Sequence, residues 1–117
     1  MLIDSARARG LLKYYKINRV ADKIGVHPNT IYVFLNGKDL LYKNFETLSA
    51  YLTSIPKDET SLREKLSDLR MSLVAKDMGL AEWTLYRCVN EGKISKRSMR
   101  IIQKFLSQEI HKKNVPE

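Results

Sequence analysis

The chain has 117 residues, 44% hydrophobic and 29% charged, and its 21 Lys/Arg against 13 Asp/Glu give a net charge of +8. That balance belongs to one ordinary folded domain or two very small ones, and no apolar run approaches the ~20 residues of a membrane span. A single cysteine, Cys88, two distant histidines, His27 and His111, and an N-terminus without an apolar signal core point away from disulfides, metal sites and secretion, and toward the cytoplasm.

A first helix is predicted over about residues 4–16, where Leu11, Leu12 and Tyr15 form an apolar stripe at helical spacing. Asn18 is a candidate N-cap for a second helix ending at Gly25, a residue suited to the left-handed conformation. Pro28 fits the first position of a third helix, after His27; that helix runs to Leu35 and stops at Asn36-Gly37. A fourth helix over about 44–53 gathers Phe45, Leu48, Tyr51 and Leu52 on one face. The only linker candidate follows, Ser54-Ile55-Pro56-Lys57-Asp58. Beyond it the pattern predicts a helix over about 59–70, one capped by Ser72 and ending at Gly79, one over 82–90, and a longer one over about 95–111. Strand signals are absent, so the expected class is all-α.

The second half echoes the first. A shift of 54 places sets Val20-Ala21-Asp22-Lys23-Ile24-Gly25 on Val74-Ala75-Lys76-Asp77-Met78-Gly79, and pairs Thr30 with Thr84, Tyr32 with Tyr86 and Asn36 with Asn90. One residue, Glu91, is inserted before Gly92-Lys93, the counterpart of Gly37-Lys38. Apolar matches alone arise by chance among small helical proteins; Ala, Gly, Thr, Tyr and Asn in register do not. The sequence therefore predicts two tandem four-helix units related by internal pseudo-symmetry, 1–54 and 59–113, joined by the short linker 54–58. A linker this short implies that the units pack together. The basic excess is even: eight Lys/Arg against four Asp/Glu in residues 1–55, thirteen against nine in residues 56–117. Such a surface favours polyanions, nucleic acid first.

Residues 18–37 have helix-turn-helix spacing. Ala21 permits close helix crossing, Gly25 turns the chain, Val26 plugs the turn, and Ile31 and Leu35 anchor the next helix. Pro28, Asn29, Thr30, Tyr32 and Val33 are left on a free face that can enter a major groove. An ordinary αα-hairpin with a glycine turn has the same spacing, but here it occurs twice on a basic chain.

Val-Ala-Asp-Lys-Ile-Gly-Val at 20–26, Phe-Leu-Asn-Gly at 34–37 and the apolar helix to Leu52 resemble the DNA-binding domain of the phage lambda repressor/Cro family. The resemblance covers about residues 8–53, and more weakly about 62–106. It implies that the third helix is the recognition helix, with Pro28, Asn29 and Val33 facing bases and Asn36 at a backbone phosphate. Where the family often has a DNA-touching Gln at the start of the second helix, this chain has Ile17 and, in the second half, Met71. The family also usually dimerises through an additional helix, whereas this chain continues into a second unit.

The second recognition helix differs from the first. Trp83 and Arg87 stand where Asn29 and Val33 do, and Glu82 replaces Pro28. Asn29 suits an adenine edge and Val33 a thymine methyl; Arg87 suits guanine, and Glu82 either accepts from cytosine or holds Arg87 in place. The two halves are thus expected to read unequal half-sites. Several residues keep a plainer alternative: Asn29 as a helix cap, Tyr32 and Tyr86 as half-buried packing residues, and Trp83 as a protein contact rather than a sugar-stacking group. The basic set Lys93, Lys96, Arg97, Arg100 and Lys104 is either a solvated face or a phosphate clamp. Lys38, Lys43 and Asn90 complete the expected DNA contacts. Cys88 matches Phe34 and reads as core, and His111, Lys112 and Lys113 as a frayed basic end.

The expected function is a sequence-specific, double-stranded-DNA-binding transcriptional regulator, a repressor of phage, mobile-element or bacterial origin, cytoplasmic and nucleoid-associated. The alternative gives the second unit to a protein contact: dimerisation, anti-activation or inhibition of a nucleic-acid enzyme. An enzyme is not expected, since no paired carboxylates, glycine-rich phosphate loop or triad is visible. No cofactor, metal, membrane or small-molecule ligand is expected.

Overall fold

The computed structural model describes residues 2–91 and 93–111, which form eight α-helices and no strand. Gly92, Lys112 and Lys113 lie outside the described residues. The chain divides between Ser54 and Ile55 into two compact units. The first holds α1 (Ser5–Leu12), α2 (Ile17–Ile24), α3 (Pro28–Leu35) and α4 (Tyr42–Thr53). The second holds α5 (Glu59–Asp68), α6 (Met71–Met78), α7 (Glu82–Asn90) and α8 (Lys96–His111). Each helix of the second unit starts 54 residues after one of the first: 5 and 59, 17 and 71, 28 and 82, 42 and 96.

Local chemistry sets these bounds. The Asp4 carboxylate accepts the Arg7 N–H at 2.7 Å and caps α1; Asp58 accepts the Ser61 N–H at 2.8 Å and caps α5. Both satisfy amides that a helix start leaves without partners. The first helix ends at Leu12 rather than 16. Tight bonds from the Tyr14 N–H to the Leu11 carbonyl and from the Tyr15 N–H to the Leu12 carbonyl close it, and Tyr15 is buried. Likewise α5 stops at Asp68, short of residue 70, and an extended Leu69 turns inward.

Asn18 and Ser72 are not caps. The helices begin two residues earlier than such caps would allow, with Lys16 and Arg70 as extended N-cap residues that make no side-chain bond. Asn18 and Ser72 sit exposed inside the first turns. The fourth helix also begins early, at Tyr42, behind an uncapped Leu41.

Each unit closes around its own core. In the first, Leu12, Val20, Ile31, Phe34, Leu48 and Leu52 are fully buried; in the second, Leu62, Leu66, Val74, Leu85 and Ile102 are. Burying each such side chain contributes about 1.5–3 kcal/mol. Tyr15 meets Tyr51 edge-on at 5.7 Å between ring centres, and Phe34 meets Phe45 at 6.0 Å. Two charged residues of α5, Lys65 and Asp68, are also buried. Removal from water pulls the Lys65 ammonium down to about 8, against the opposing pull of Asp68.

Candidate nucleic-acid interface

The geometry of both candidate recognition helices starts at a glycine. Gly25 has φ 76° and ψ 34°, and Gly79 has φ 73° and ψ 25°, a left-handed conformation that side chains bearing a Cβ adopt at a cost. The next residue closes each turn: the Val26 N–H donates to the Ala21 carbonyl at 2.9 Å, and the Leu80 N–H to the Ala75 carbonyl at 3.0 Å. This is a Schellman closure, and it satisfies carbonyls that the helix end would otherwise leave open. Ala21 and Ala75 are buried where the helices cross.

Pro28 occupies the first turn of α3, and the cap before it is His27, whose Nδ1 accepts the Asn29 N–H at 3.1 Å. Asn29 therefore does not cap the helix; it contributes the donor, and the residue itself is exposed. The seventh helix has no side-chain cap, and Glu82 in its first turn supplies the negative charge that a helix start favours.

The inward faces are fixed by Ile31 and Phe34 in α3 and by Leu85 and Cys88 in α7, all buried. Outward stand Tyr32, 49% exposed, and Tyr86, 47% exposed, with Val33, Asn36, Arg87 and Asn90. Pro28 and Thr30 are half-buried. The two faces differ in charge: nothing from Pro28 to Leu35 is ionised, whereas α7 carries Glu82 and Arg87.

Arg87 is held, but not by Glu82. Its Nε lies 3.3 Å from Oε2 of Glu91, and its guanidinium carbon lies 5.3 Å from the centre of the Trp83 ring. Trp83 itself is 60% exposed. Trp83, Arg87, Glu91 and Lys93 line one cleft of about 310 Å³ with Ser95 and Ser98. The Ser95 hydroxyl accepts the Ser98 N–H at 3.1 Å and so caps the start of α8. Lys96, Arg97, Arg100 and Lys104 are exposed along that helix, as are Lys38 and Lys43 in the first unit. Cys88 is a packed thiol, and burial pushes its pKa up, away from nucleophilic use.

Two further residues, both arginines, hold the third helices of the two units in place. Arg9 donates from Nε to the Phe34 carbonyl at 2.7 Å and from an Nη to the Lys38 carbonyl at 3.3 Å. Its guanidinium also lies 4.5 Å from the Phe34 ring centre. In the second unit Arg63 donates to the Cys88 carbonyl at 3.4 Å. Each arginine ties the first helix of its unit to the last turn of the third, where the helix end is negative and a carbonyl can accept a second bond: the Phe34 carbonyl also accepts the Gly37 N–H at 3.0 Å. The signal was present: 9 and 63, like 34 and 88, are 54 places apart.

Among the described residues there is no group of three His, Cys, Asp or Glu placed to hold a metal, and no helix is long and apolar enough to cross a membrane. No protein-family model, curated protein or solved structure matches this chain.

Proposed function

We propose that the chain is a sequence-specific double-stranded-DNA-binding transcriptional regulator, a repressor built from two tandem helix-turn-helix units of lambda repressor/Cro type. The observation that carries the reading is the pair of glycine-closed turns, each followed by a helix with an exposed outward face, carrying Asn29 and Val33 in the first unit and Arg87 in the second, on a chain of net charge +8. Lys38 and Lys43 in the first unit, and Lys93, Lys96 and Arg97 in the second, hold phosphates and fix the register. Asn29 and Val33 read an A·T-rich half-site, and Arg87 reads a guanine. Occupying a promoter blocks polymerase. Joining two readers in one chain gives the second a high local concentration, so two weak half-sites act as one tight site. In the cell such a chain resides in the cytoplasm, on the nucleoid.

Selection of bound sequences from a random duplex library at about 150 mM salt tests this, because purely electrostatic binding is weak there. A bipartite motif with unequal halves is the expected outcome. Arg87→Ala should then weaken binding by about 1–3 kcal/mol and relax one base pair. A palindrome of one repeated half-site would mean a homodimer reading through a single unit.

A second reading rests on Trp83, whose exposure next to Arg87 pairs two residue types that dominate protein interfaces. It makes the second unit a protein-binding or dimerisation module. No enriched sequence, together with self-association that Trp83→Ala abolishes, would favour it.

A further inference from the structure

The side chains of Trp83, Arg87 and Glu91 are spaced four and four residues apart, so they lie in a row along one face of α7, from its first turn to its C-cap. The central guanidinium is engaged twice. Glu91 accepts from its Nε at 3.3 Å, and its carbon lies 5.3 Å from the Trp83 ring centre, within cation–π range. The contact with Glu91 is reinforced along the backbone, since the Glu91 N–H donates to the Arg87 carbonyl at 2.9 Å.

Glu91 is not placed there for helix stability. It is the C-cap of α7, where the helix end is already negative and a carboxylate is disfavoured. The ion pair is 59% exposed on each side, the kind that adds little to folding. It is also an inserted residue: α3 ends at Leu35 after eight residues, and α7 reaches Asn90 after nine, which brings a side chain one turn beyond Arg87.

An arginine has five N–H donors in a fixed planar fork. With Nε committed to Glu91, the end of the fork that carries the two Nη groups stays available, and that end matches guanine O6 and N7. The carboxylate also repels a phosphate that would otherwise draw the guanidinium aside.

We infer that Glu91 is a specificity-determining positioning residue of the second unit, holding Arg87 against Trp83 so that its Nη edge reads a guanine in the major groove. The inference rests on the DNA-binding reading, but the stack itself is a property of the free chain and is tested separately.

Trp83 is the chain's only tryptophan, so its fluorescence reports the stack directly. In the full-length free protein, Arg87→Met should move the emission maximum, and Glu91→Gln should move it in the same direction. An emission maximum that Arg87→Met moves and Glu91→Gln leaves in place overturns the holding role; indifference to both variants overturns the stack. In duplex selection, Glu91→Gln should cut the preference for guanine at the Arg87 position about tenfold. Affinity for random duplex should hold or rise, because a negative charge is gone, and the melting temperature should stay within a degree or two, since the pair is exposed. Unchanged preference, or loss at a different base pair, overturns the specificity role. A wild-type chain that enriches no sequence refutes DNA reading and the guanine contact with it, while the fluorescence result still decides whether Glu91 holds Arg87.

Discussion

Replacing Arg9 by methionine keeps most of the apolar stem and removes the guanidinium, so it isolates what that group does at the end of α3. The 2.7 Å bond to the Phe34 carbonyl is charge-assisted and part-buried, a class that contributes about 1.5–3 kcal/mol. The 3.3 Å bond to Lys38 is exposed, and water replaces it at little cost. The guanidinium stacked 4.5 Å from the Phe34 ring centre adds about 0.5–1 kcal/mol. These terms share one group and do not simply add, so Arg9→Met should destabilise the first unit by about 2–3 kcal/mol. Urea unfolding followed by far-UV circular dichroism measures it, with coincidence of an aromatic probe checking two-state behaviour. A loss below about 0.5 kcal/mol would show that packing and the backbone bonds of Asn36, Gly37 and Lys38 hold the last turn of α3 without the guanidinium. In that case Arg9 is a surface cation with no part in aiming the helix.

Two other perturbations probe the frame. A Cβ added at Gly25 meets nothing within 4 Å, so Gly25→Ala tests backbone strain alone; unfolding measurements should give a loss of about 1 kcal/mol, and 3 kcal/mol or more would expose a steric contact. Lys65 titrates at about 8 in the folded chain against 10.5 in the open chain. Between those values the unfolded state holds the extra proton, so stability rises with pH, by about 1–2 kcal/mol from pH 7.5 to 9.5. Lys65→Met should flatten that rise in paired unfolding curves, and an unaltered pH dependence would sink the assignment.

What could be read from the sequence followed from how local each signal is. The sequence predicts helices over 28–35 and 82–90, and α3 and α7 have those bounds: Pro28 fixes the first turn of α3, the Gly79 turn and the acidic Glu82 open α7, and such signals act within a few residues. The caps at Asn18 and Ser72 failed for the opposite reason. Good capping chemistry lay two positions beyond the N-cap residues Lys16 and Arg70, and burial of Val20, Met71 and Val74 outweighs a local capping preference. Tyr15 carried the apolar period past the real end of α1: an inward residue in an extended segment satisfies a helical stripe as well as one in a helix. Glu82, five residues before Arg87, has two roles open to it in the sequence, accepting from cytosine or holding Arg87, whereas i, i+4 spacing favours Glu91, the inserted residue that makes the bond. Arg9 lay beyond local reasoning, since its partner is 25 residues away. Only the repeat could have exposed it.

Three contacts that close the first unit join residues of that unit alone. Arg9 reaches Phe34, Tyr15 reaches Tyr51, and Phe34 reaches Phe45, so the last of these partners is made before residue 55. On a ribosome adding about 5–20 residues per second, residues 55–117 are still to be added at that point. The first unit therefore has seconds in which to bury Phe34 and Leu48 while no helix of the second unit competes for its core. A chain built from two similar halves is prone to pairing a helix with the wrong twin, and the order of synthesis gives this one a head start on the correct match.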